Sequence, residues 1–284
     1  MSITLKNVSY TYAPGTAYET TAIRQISVKI EDGEFVGITG ATGCGKSTLI
    51  QLMAGLLTPK EGQILLDGKD INARRYDRSR LRRQVGVVFQ NPECQLFETT
   101  VYRDVTFALR HRNIPEAQRQ QAAEQALAAV GFDYAAVKEK SPLEFSSGEQ
   151  RRLAIAGILA AHPGILILDE PIAGLDPPGR RAFLELLDRL NAHGTTVIMV
   201  SHNTDALAEH CRRLLLLQDG HLLRSGSAAE IFTDTEFLQH HSFGIPQVVQ
   251  IAQLLRQRGR KLAPGIFRYE QLLSALTGTE EVAP

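Results

Sequence analysis

Gly40-Ala41-Thr42-Gly43-Cys44-Gly45-Lys46-Ser47-Thr48 follows the apolar run Phe35–Thr39 and leads into the largely apolar stretch Leu49–Ala54. The nine residues fit the pattern G-x-x-x-x-G-K-[ST] between a predicted strand and a predicted helix. Glycines let successive backbone N–H groups point at one phosphate, and the helix N-terminus adds its partial positive charge. In this pattern the lysine contacts the β- and γ-phosphates and the serine hydroxyl binds Mg²⁺. The stretch therefore predicts a site for a nucleoside triphosphate such as ATP, together with Mg²⁺.

A second pair of charged residues follows a buried strand later in the chain. Asp169 and Glu170 come directly after the four-residue apolar run Ile165–Leu168, which is typical of a parallel strand covered on both faces. Asp169 is predicted to hold Mg²⁺ through water, and Glu170 is predicted to polarise the water that attacks the γ-phosphate. An acidic strand end is weak evidence alone, but after a phosphate-binding loop it indicates a triphosphatase.

Two further polar residues follow predicted strands. Gln90 comes after Val85–Phe89, and His202 comes after Thr195–Val200. Because the carboxyl ends of parallel strands meet at one edge of a sheet, both side chains are expected near the bound triphosphate. Gln90 is suited to bind the metal or a water molecule, and His202 is suited to contact the γ-phosphate. The plain alternative for His202 is a structural histidine.

Composition limits the possible classes of protein. The chain has 284 residues, 43% of them apolar, which is enough for one large α/β domain with a small appendage. Lys and Arg number 31, as do Asp and Glu, so the net charge gives no reason to expect a nucleic acid partner. No signal peptide and no apolar run long enough to cross a membrane are expected.

The cysteines are predicted to be reduced thiols, because Cys44, Cys94 and Cys211 have no paired spacing. Cys44 lies beside Lys46 at a predicted helix N-terminus. Such a position predicts a lowered pKa and reaction with alkylating agents. The alternative is that the cysteine is a small residue filling the loop.

Leu143-Glu144-Phe145-Ser146-Ser147-Gly148-Glu149-Gln150-Arg151-Arg152 precedes Asp169-Glu170 and resembles the signature motif of ATP-binding-cassette (ABC) ATPases. Ser146 and Gly148 match the family pattern Leu-Ser-Gly-Gly-Gln, whereas Phe145, Ser147 and Glu149 depart from it. The resemblance implies that Ser146, Ser147, Gly148 and Glu149 contact the γ-phosphate of a nucleotide bound to an opposing subunit.

The resemblance to ABC ATPases extends from Ile3 to about Phe232. It implies that Tyr12 stacks on the adenine ring and that Asp176 belongs to the D-loop. The implied fold is the α/β P-loop NTPase fold of ABC ATPases, with a RecA-like core, an antiparallel β subdomain and a helical subdomain. We expect an ATP-binding domain over residues 1–233, with the helical subdomain at about 91–160.

A small helical appendage is predicted over residues 234–284. Its first helix is expected over Gln247–Arg258 and its second over Tyr269–Leu276. In the first helix, the apolar residues predicted to face inward are Val248, Ile251, Leu254 and Leu255.

A narrower resemblance concerns Phe89–Phe97, Thr100–Val105 and Ile245–Gln247, which are similar to ATPases of energy-coupling factor (ECF) importers. It implies ATP-driven uptake of vitamins or transition-metal ions at the cytoplasmic face of the cell membrane. The implied partners are a second ABC ATPase subunit (a paralogue or a second copy), a transmembrane scaffold and a substrate-binding membrane subunit. The scaffold's helices are expected near Gln90–Phe97, with plain core packing as the alternative for Leu96 and Phe97. The appendage resembles the segment that assists dimerisation.

Other classes of ATPase remain as alternatives. A soluble ABC ATPase acting on nucleic acid or ribosomes usually has two cassettes or a coiled-coil insertion, and neither is found in this sequence. A P-loop kinase would have no use for the signature-like segment Phe145–Arg152. A subunit that binds ATP without hydrolysing it would have no use for Glu170. The arginine-rich segment Arg74–Arg83 has no interleaved aromatic residues, so a solvated helix face is favoured over a nucleic acid patch.

Overall fold

The computed structural model describes residues 1–110, 112 and 114–277, so the last part of the predicted appendage, 278–284, lies outside the described residues. The strands are β1 (Ile3–Tyr12), β2 (Thr20–Ile30), β3 (Phe35–Gly40), β4 (Glu61–Leu66), β5 (Lys69–Asp70), β6 (Val85–Val88), β7 (Ile165–Asp169), β8 (Thr196–Val200), β9 (Arg213–Gln218) and β10 (His221–Ser227). The helices are α1 (Lys46–Met53), α2 (Arg78–Gln84), α3 (Val101–Val105), α4 (Phe107–Arg110), α5 (Glu116–Ala129), α6 (Tyr134–Val137), α7 (Ser147–Leu159), α8 (Pro177–Ala192), α9 (Thr204–His210), α10 (Ala228–Thr233), α11 (Thr235–His240), α12 (Gln247–Gln257) and α13 (Tyr269–Thr277). Short 3₁₀ helices cover Pro92–Gln95 and Pro142–Glu144.

The described strands form two sheets. The larger has the order β10-β9-β3-β8-β7-β6, with β9, β3, β8, β7 and β6 parallel and β10 antiparallel to β9. The smaller is antiparallel with the order β2-β1-β4-β5. The carboxyl ends of β3, β6, β7 and β8 therefore lie at one edge, where the sequence placed its candidate site residues.

The larger sheet is covered on both faces, as the apolar runs predicted. In β7, Ile165 and Ile167 pack with α1 and the antiparallel sheet. Leu166 and Leu168 pack on the opposite face, with the helices α5, α7, α8 and α9. This alternation follows from the two-residue period of a strand, and it holds the strand that ends in Asp169 rigidly between two cores.

The helical segment between β6 and β7 packs around α7. Thr100 caps α3 by accepting a hydrogen bond from the N–H of Arg103, and Ser146 caps α7. Gly131 follows the C-cap residue of α5 with a φ of +84°, a conformation that glycine adopts without strain. Buried side chains of α3, α5 and α7 then meet in the core that covers β7.

The predicted inward face of α12 is partly wrong. Val248 is buried and Leu255 is half-buried, as predicted, but Ile251 and Leu254 are exposed. The inward row runs through Val248, Ala252 and Leu255 at helical spacing, and Ala252 was missed because alanine is a weak apolar signal. Val249 packs into the main core, so α12 lies against the ATP-binding domain.

No helix in the described ranges has both the length and the apolar character that crossing a bilayer requires.

Candidate functional site

The glycine-rich loop between β3 and α1 has the conformation that its glycines allow. Gly45 has a φ of +106°, and a Cβ atom there would lie 2.5 Å from the carbonyl oxygen of Ala22. Any larger residue would displace the loop from β2. Gly45 is also the N-cap of α1 and offers no side-chain acceptor to the first turn, whose N–H groups can bind an anion.

Lys46 is buried under this loop, with 8% of its surface exposed. Its Nζ donates to the carbonyl oxygens of Gly40 at 2.8 Å and Ala41 at 2.9 Å. These contacts hold the ammonium group inside the curve of the loop, so an entering phosphate would find the charge already in place. The structure thus gives Lys46 the placement that the sequence pattern requires.

The two predicted metal-binding residues of β7 and α1 contact each other. The Ser47 hydroxyl donates to Asp169 Oδ2 at 3.0 Å, and Gln90 lines the same cavity after β6. A hydroxyl, a carboxylate and an amide oxygen are ligands of the kind that Mg²⁺ takes, with nucleotide phosphates completing its shell. These residues fit a Mg²⁺ ion bound together with a triphosphate.

Glu170 is held by its backbone in a fixed position beyond β7. Its φ of +49° is unusual for a residue with a side chain. The N–H of Glu170 donates to Val200 O at 3.0 Å, and its carbonyl accepts from Arg151 Nη2 at 2.8 Å. Arg151 also donates to Ala173 O at 2.8 Å, which connects the signature helix α7 to this turn.

The carboxylate of Glu170 is largely buried. Its Oε2 atom accepts from the Ser201 hydroxyl at 3.3 Å, while His202 Nε2 lies 3.7 Å from Oε1. Burial raises the pKa of Glu170 against the opposing effect of His202. A raised pKa makes the carboxylate a better proton acceptor, which suits activation of a water molecule.

Most of the site residues predicted from the phosphate-binding loop and the strand ends line one cavity of about 710 Å³. The predicted members are Tyr12, Thr42, Gly43, Gly45, Lys46, Ser47, Thr48, Gln90, Asp169, Glu170 and His202. Of the remaining loop residues, Gly40, Ala41 and Cys44 line an adjoining cavity that also includes His202. The Tyr12 hydroxyl hydrogen-bonds to Thr48 Oγ1 at 3.1 Å, and its ring is partly exposed. Stacking of Tyr12 on adenine stays a prediction.

The cavity also contains residues that the sequence did not suggest: Thr20, Thr21, Ala22, Arg24, Asp219 and Gly220. They come from β2 and from the turn between β9 and β10. The Arg24 N–H donates to Gly220 O at 2.8 Å, and the Gly220 N–H donates to Cys44 O at 3.1 Å. This docking joins segments about 200 positions apart, and no local pattern indicates it.

The signature residues lie elsewhere. Ser146, Gly148 and Glu149 line a third cavity, of about 730 Å³, together with Asp176 of the predicted D-loop. Ser146, Ser147 and Gly148 are exposed at the N-terminus of α7. Asp176 caps α8, accepting from the Gly179 N–H at 3.1 Å. The two groups of site residues predicted from sequence therefore line separate cavities of one chain.

The predicted lowering of the Cys44 pKa is wrong. Cys44 is buried, and although Lys46 Nζ lies 3.9 Å from its sulfur, burial raises the pKa of the thiol more than the lysine lowers it. The sequence showed the lysine and the helix terminus but not the burial.

At pH 7, alkylation is expected to modify the exposed Cys94 and to spare Cys44. A raised pKa leaves less thiolate at a given pH, so Cys44 should react only as the pH rises above the ordinary value for a thiol. Intact-mass measurement should show that Cys94→Ser lowers the labelling rate by at least about tenfold. Equal labelling of Cys44 and Cys94 at pH 7 would contradict the buried placement.

Fold and cavity together define a P-loop nucleotide-binding cassette, and comparison with known proteins gives its family. Residues 23–173 match the family described as ABC transporter. The energy-coupling factor transporter ATP-binding protein EcfA2 of Clostridium perfringens is 41% identical, over 97% of this chain and 97% of that protein. The protein of the same name from Symbiobacterium thermophilum is 42% identical, over 98% of this chain and 96% of its own length.

Solved structures agree with this assignment. The cbiO1 protein from Clostridium perfringens, described as part of the ABC transporter complex cbiONQ, superposes with a TM-score of 0.74 at 34% identity, covering 89% of this chain and 98% of that chain. The ATP-binding cassette MJ0796, in a dimeric post-hydrolysis state with ADP and Pi, gives a TM-score of 0.71 at 30% identity, covering 80% of this chain and 98% of that chain.

The chain belongs to the ABC transporter ATPases, and within them to the ATP-binding proteins of energy-coupling factor transporters. The predicted fold class, the ATP-binding and hydrolysing activity and the resemblance to ECF-type importers are thereby confirmed. The alternative of a soluble ATPase acting on nucleic acid or ribosomes is not favoured by these relatives.

Proposed function

We propose that the chain hydrolyses ATP in a composite site made with a second ABC ATPase subunit, and that closure of this pair drives an importer for vitamins or transition-metal ions. The observation that carries the proposal is the separation of the two half-sites. The loop from Gly40 to Thr48 and Glu170 belong to the nucleotide cavity and its immediate surroundings, whereas Ser146 is exposed beside another cavity. An exposed helix N-terminus suits a nucleotide held by a partner.

Within the nucleotide cavity each residue has a distinct role. Lys46 binds the β- and γ-phosphates, and Glu170 accepts a proton from the attacking water. His202 contacts the γ-phosphate. Ser47, Asp169 and Gln90 would hold Mg²⁺, which when bound neutralises charge on the phosphate oxygens. Only an affinity for ATP that is higher in the closed pair than in the open pair can drive closure.

The membrane partners are proposed to bind beside Gln90. Phe97 is 65% exposed and packs edge-to-face on Phe107, with ring centroids 4.8 Å apart. Leu96 packs against the core, whereas Phe97 presents its side chain outward. An exposed aromatic pair in the segment that follows Gln90 supports contact with a transmembrane scaffold, which would also recruit the substrate-binding membrane subunit.

The appendage is proposed to assist pairing of the ATPases. Residues 234–277 include the exposed apolar side chains Ile251, Leu254, Leu273 and Leu276 on α12 and α13. Exposed apolar side chains of this kind support contact with another protein. The second ATPase of the pair is either a paralogue or another copy of this chain. The transported substrate would be selected by a membrane subunit.

The proposal is tested by purifying the tagged full-length chain from native membranes and identifying its partners by mass. A second ABC ATPase and proteins with membrane-spanning helices are expected. Phe97→Asp should reduce recovery of the membrane proteins, whereas Tyr18→Asp, at another exposed aromatic residue, should not. Recovery with ribosomes or nucleic acid, or without membrane proteins, would contradict it and would favour the soluble alternative.

The signature helix carries a charge that the family pattern lacks. Ser146 Oγ donates to Glu149 Oε2 at 2.7 Å, and the Ser146 N–H donates to the same atom at 2.9 Å. The Ser146 hydroxyl bond and then the Ser146 backbone bond lower the pKa of Glu149, which keeps it charged at neutral pH. A carboxylate at this position opposes the approach of the partner's γ-phosphate.

Glu149→Gln is therefore expected to lower, by several-fold, the ATP concentration that gives half-maximal pairing of the subunits. Glutamine keeps an acceptor for Ser146 but removes the negative charge. Glu230→Gln is the matched control, because Glu230 forms the same capping arrangement with Ser227 on α10. Light scattering over an ATP titration measures the effect. An equal response of both variants would place Glu149 outside the composite site.

A further inference from the structure

The two carboxylate oxygens of Glu170 have different surroundings. Oε2 accepts a hydrogen bond from the Ser201 hydroxyl at 3.3 Å. Oε1 is buried and has no hydrogen-bond partner among the described residues. The His202 Nε2 atom lies 3.7 Å from Oε1, beyond hydrogen-bonding distance. Among the described residues, Ser201 is therefore the side chain that hydrogen-bonds to this carboxylate.

The Ser201 hydroxyl is itself held in one orientation. Ser201 is fully buried at the end of β8, and its N–H donates to Ile38 O at 3.2 Å. The Asn203 N–H donates to Ser201 Oγ at 3.1 Å, which occupies one lone pair of the hydroxyl oxygen. The Asn203 side chain in turn caps α9 by accepting from the Ala206 N–H at 2.9 Å. The hydroxyl hydrogen is therefore left to point at Glu170.

We propose that Ser201 is a positioning residue for ATP hydrolysis, because its hydroxyl bonds to Glu170 Oε2 and holds the carboxylate in the orientation from which it accepts the proton of water. The water oxygen forms a bond to the γ-phosphorus, and the bond from that phosphorus to the β–γ bridging oxygen breaks. Its electron pair leaves with ADP, and the proton of water goes to the Glu170 carboxylate. This inference rests on the proposed role of Glu170.

The two residues that follow β8 lie against different oxygens of the Glu170 carboxylate. Ser201 and His202 are consecutive, so one side chain bonds to Oε2 and the other lies beside Oε1. Arg151 and Val200 fix the backbone of Glu170, but neither bonds to its carboxylate. The backbone N–H of His202 also acts on the carboxylate and lowers the pKa of Glu170, and the Ser201 bond adds to this hold. Without the Ser201 bond the carboxylate is freer to rotate about its final torsion.

The test compares Ser201→Ala and Ser201→Thr in the assembled complex by single-turnover hydrolysis of ATP. Loss of the hydroxyl is expected to lower the hydrolysis rate constant about tenfold or more, while KM for ATP and the affinity for a fluorescent ATP analogue change less than about twofold. Ser201→Thr keeps the hydroxyl and should hydrolyse ATP at close to the wild-type rate. Thermal unfolding shows whether each variant is folded.

Thr196→Val is the matched control on the same strand. Thr196 is also fully buried, and its hydroxyl donates to Met1 O at 2.8 Å and accepts from the Gly33 N–H at 3.0 Å. It lies at the opposite end of β8, so removing this hydroxyl should affect stability but not the rate per folded molecule. An equal loss of rate in Thr196→Val and Ser201→Ala would mean that the effect is structural.

A double-mutant cycle decides whether Ser201 acts through Glu170. In a Glu170→Gln background, Ser201→Ala should cause no further loss of rate, whereas an additive loss would overturn the inference. A wild-type rate in Ser201→Ala would also overturn it. A wild-type rate in Glu170→Gln alone would instead overturn the proposed role of Glu170, so the two failures can be distinguished.

Discussion

Glu170→Gln is expected to slow ATP hydrolysis by about a thousandfold while ATP remains bound. Glutamine has nearly the same shape and can still accept from the Ser201 hydroxyl, but its amide group does not accept a proton from water at neutral pH. The contacts of the backbone with Val200 and Arg151 do not involve the side chain, so the turn should keep its conformation. ATP should therefore accumulate in the closed state.

Two measurements check this result. Hydrolysis is measured by phosphate release in the assembled complex, and pairing is measured by gel filtration with ATP present. The variant should elute as a larger species that persists, whereas the wild-type species should disappear as ATP is consumed. Glu61→Gln, the same exchange at an exposed residue of β4, serves as control. An unchanged hydrolysis rate in Glu170→Gln would exclude this carboxylate as the proton acceptor.

The sequence predicted the parts of the site that follow strands. The apolar runs of β3, β7 and β8 are short, bounded and buried on both faces, so the polar residues after them had to meet at one edge of the sheet. The sequence alone therefore predicts that Lys46, Asp169, Glu170 and His202 lie together. Strand direction and burial are local properties of the chain, and they are visible in the spacing of apolar residues.

The remaining contacts depend on how distant segments pack. Arg151 reaches the carbonyl of Glu170 from the signature helix, and Ser201 bonds to the carboxylate from a neighbouring strand. An arginine after a signature motif and a serine before a histidine carry no local sign of such partners. The predicted lowering of the Cys44 pKa was wrong for the same reason. Burial of the thiol results from packing, and it raises the pKa more than the neighbouring Lys46 lowers it.

Lys46→Ala is expected to weaken ATP binding by about a hundredfold or more. Hydrogen bonds to a charged group contribute about 1.5–3 kcal/mol each. Since each 1.4 kcal/mol corresponds to about a tenfold change in affinity, loss of contacts to the β- and γ-phosphates gives that factor. The variant also removes the bonds from Nζ to the carbonyl oxygens of Gly40 and Ala41, so the empty loop loses its internal support.

Thermal unfolding with and without ATP separates these two effects. A ligand at 100 times its dissociation constant stabilises the folded state by about 2.7 kcal/mol, so ATP should raise the melting temperature of the wild type. Lys46→Ala should lose most of this rise, whereas Lys60→Ala, at an exposed lysine beyond α1, should keep it. A lower melting temperature of Lys46→Ala without ATP would measure the support that Nζ gives the loop. An ATP affinity within about threefold of wild type would show that the phosphates are held by backbone N–H groups alone.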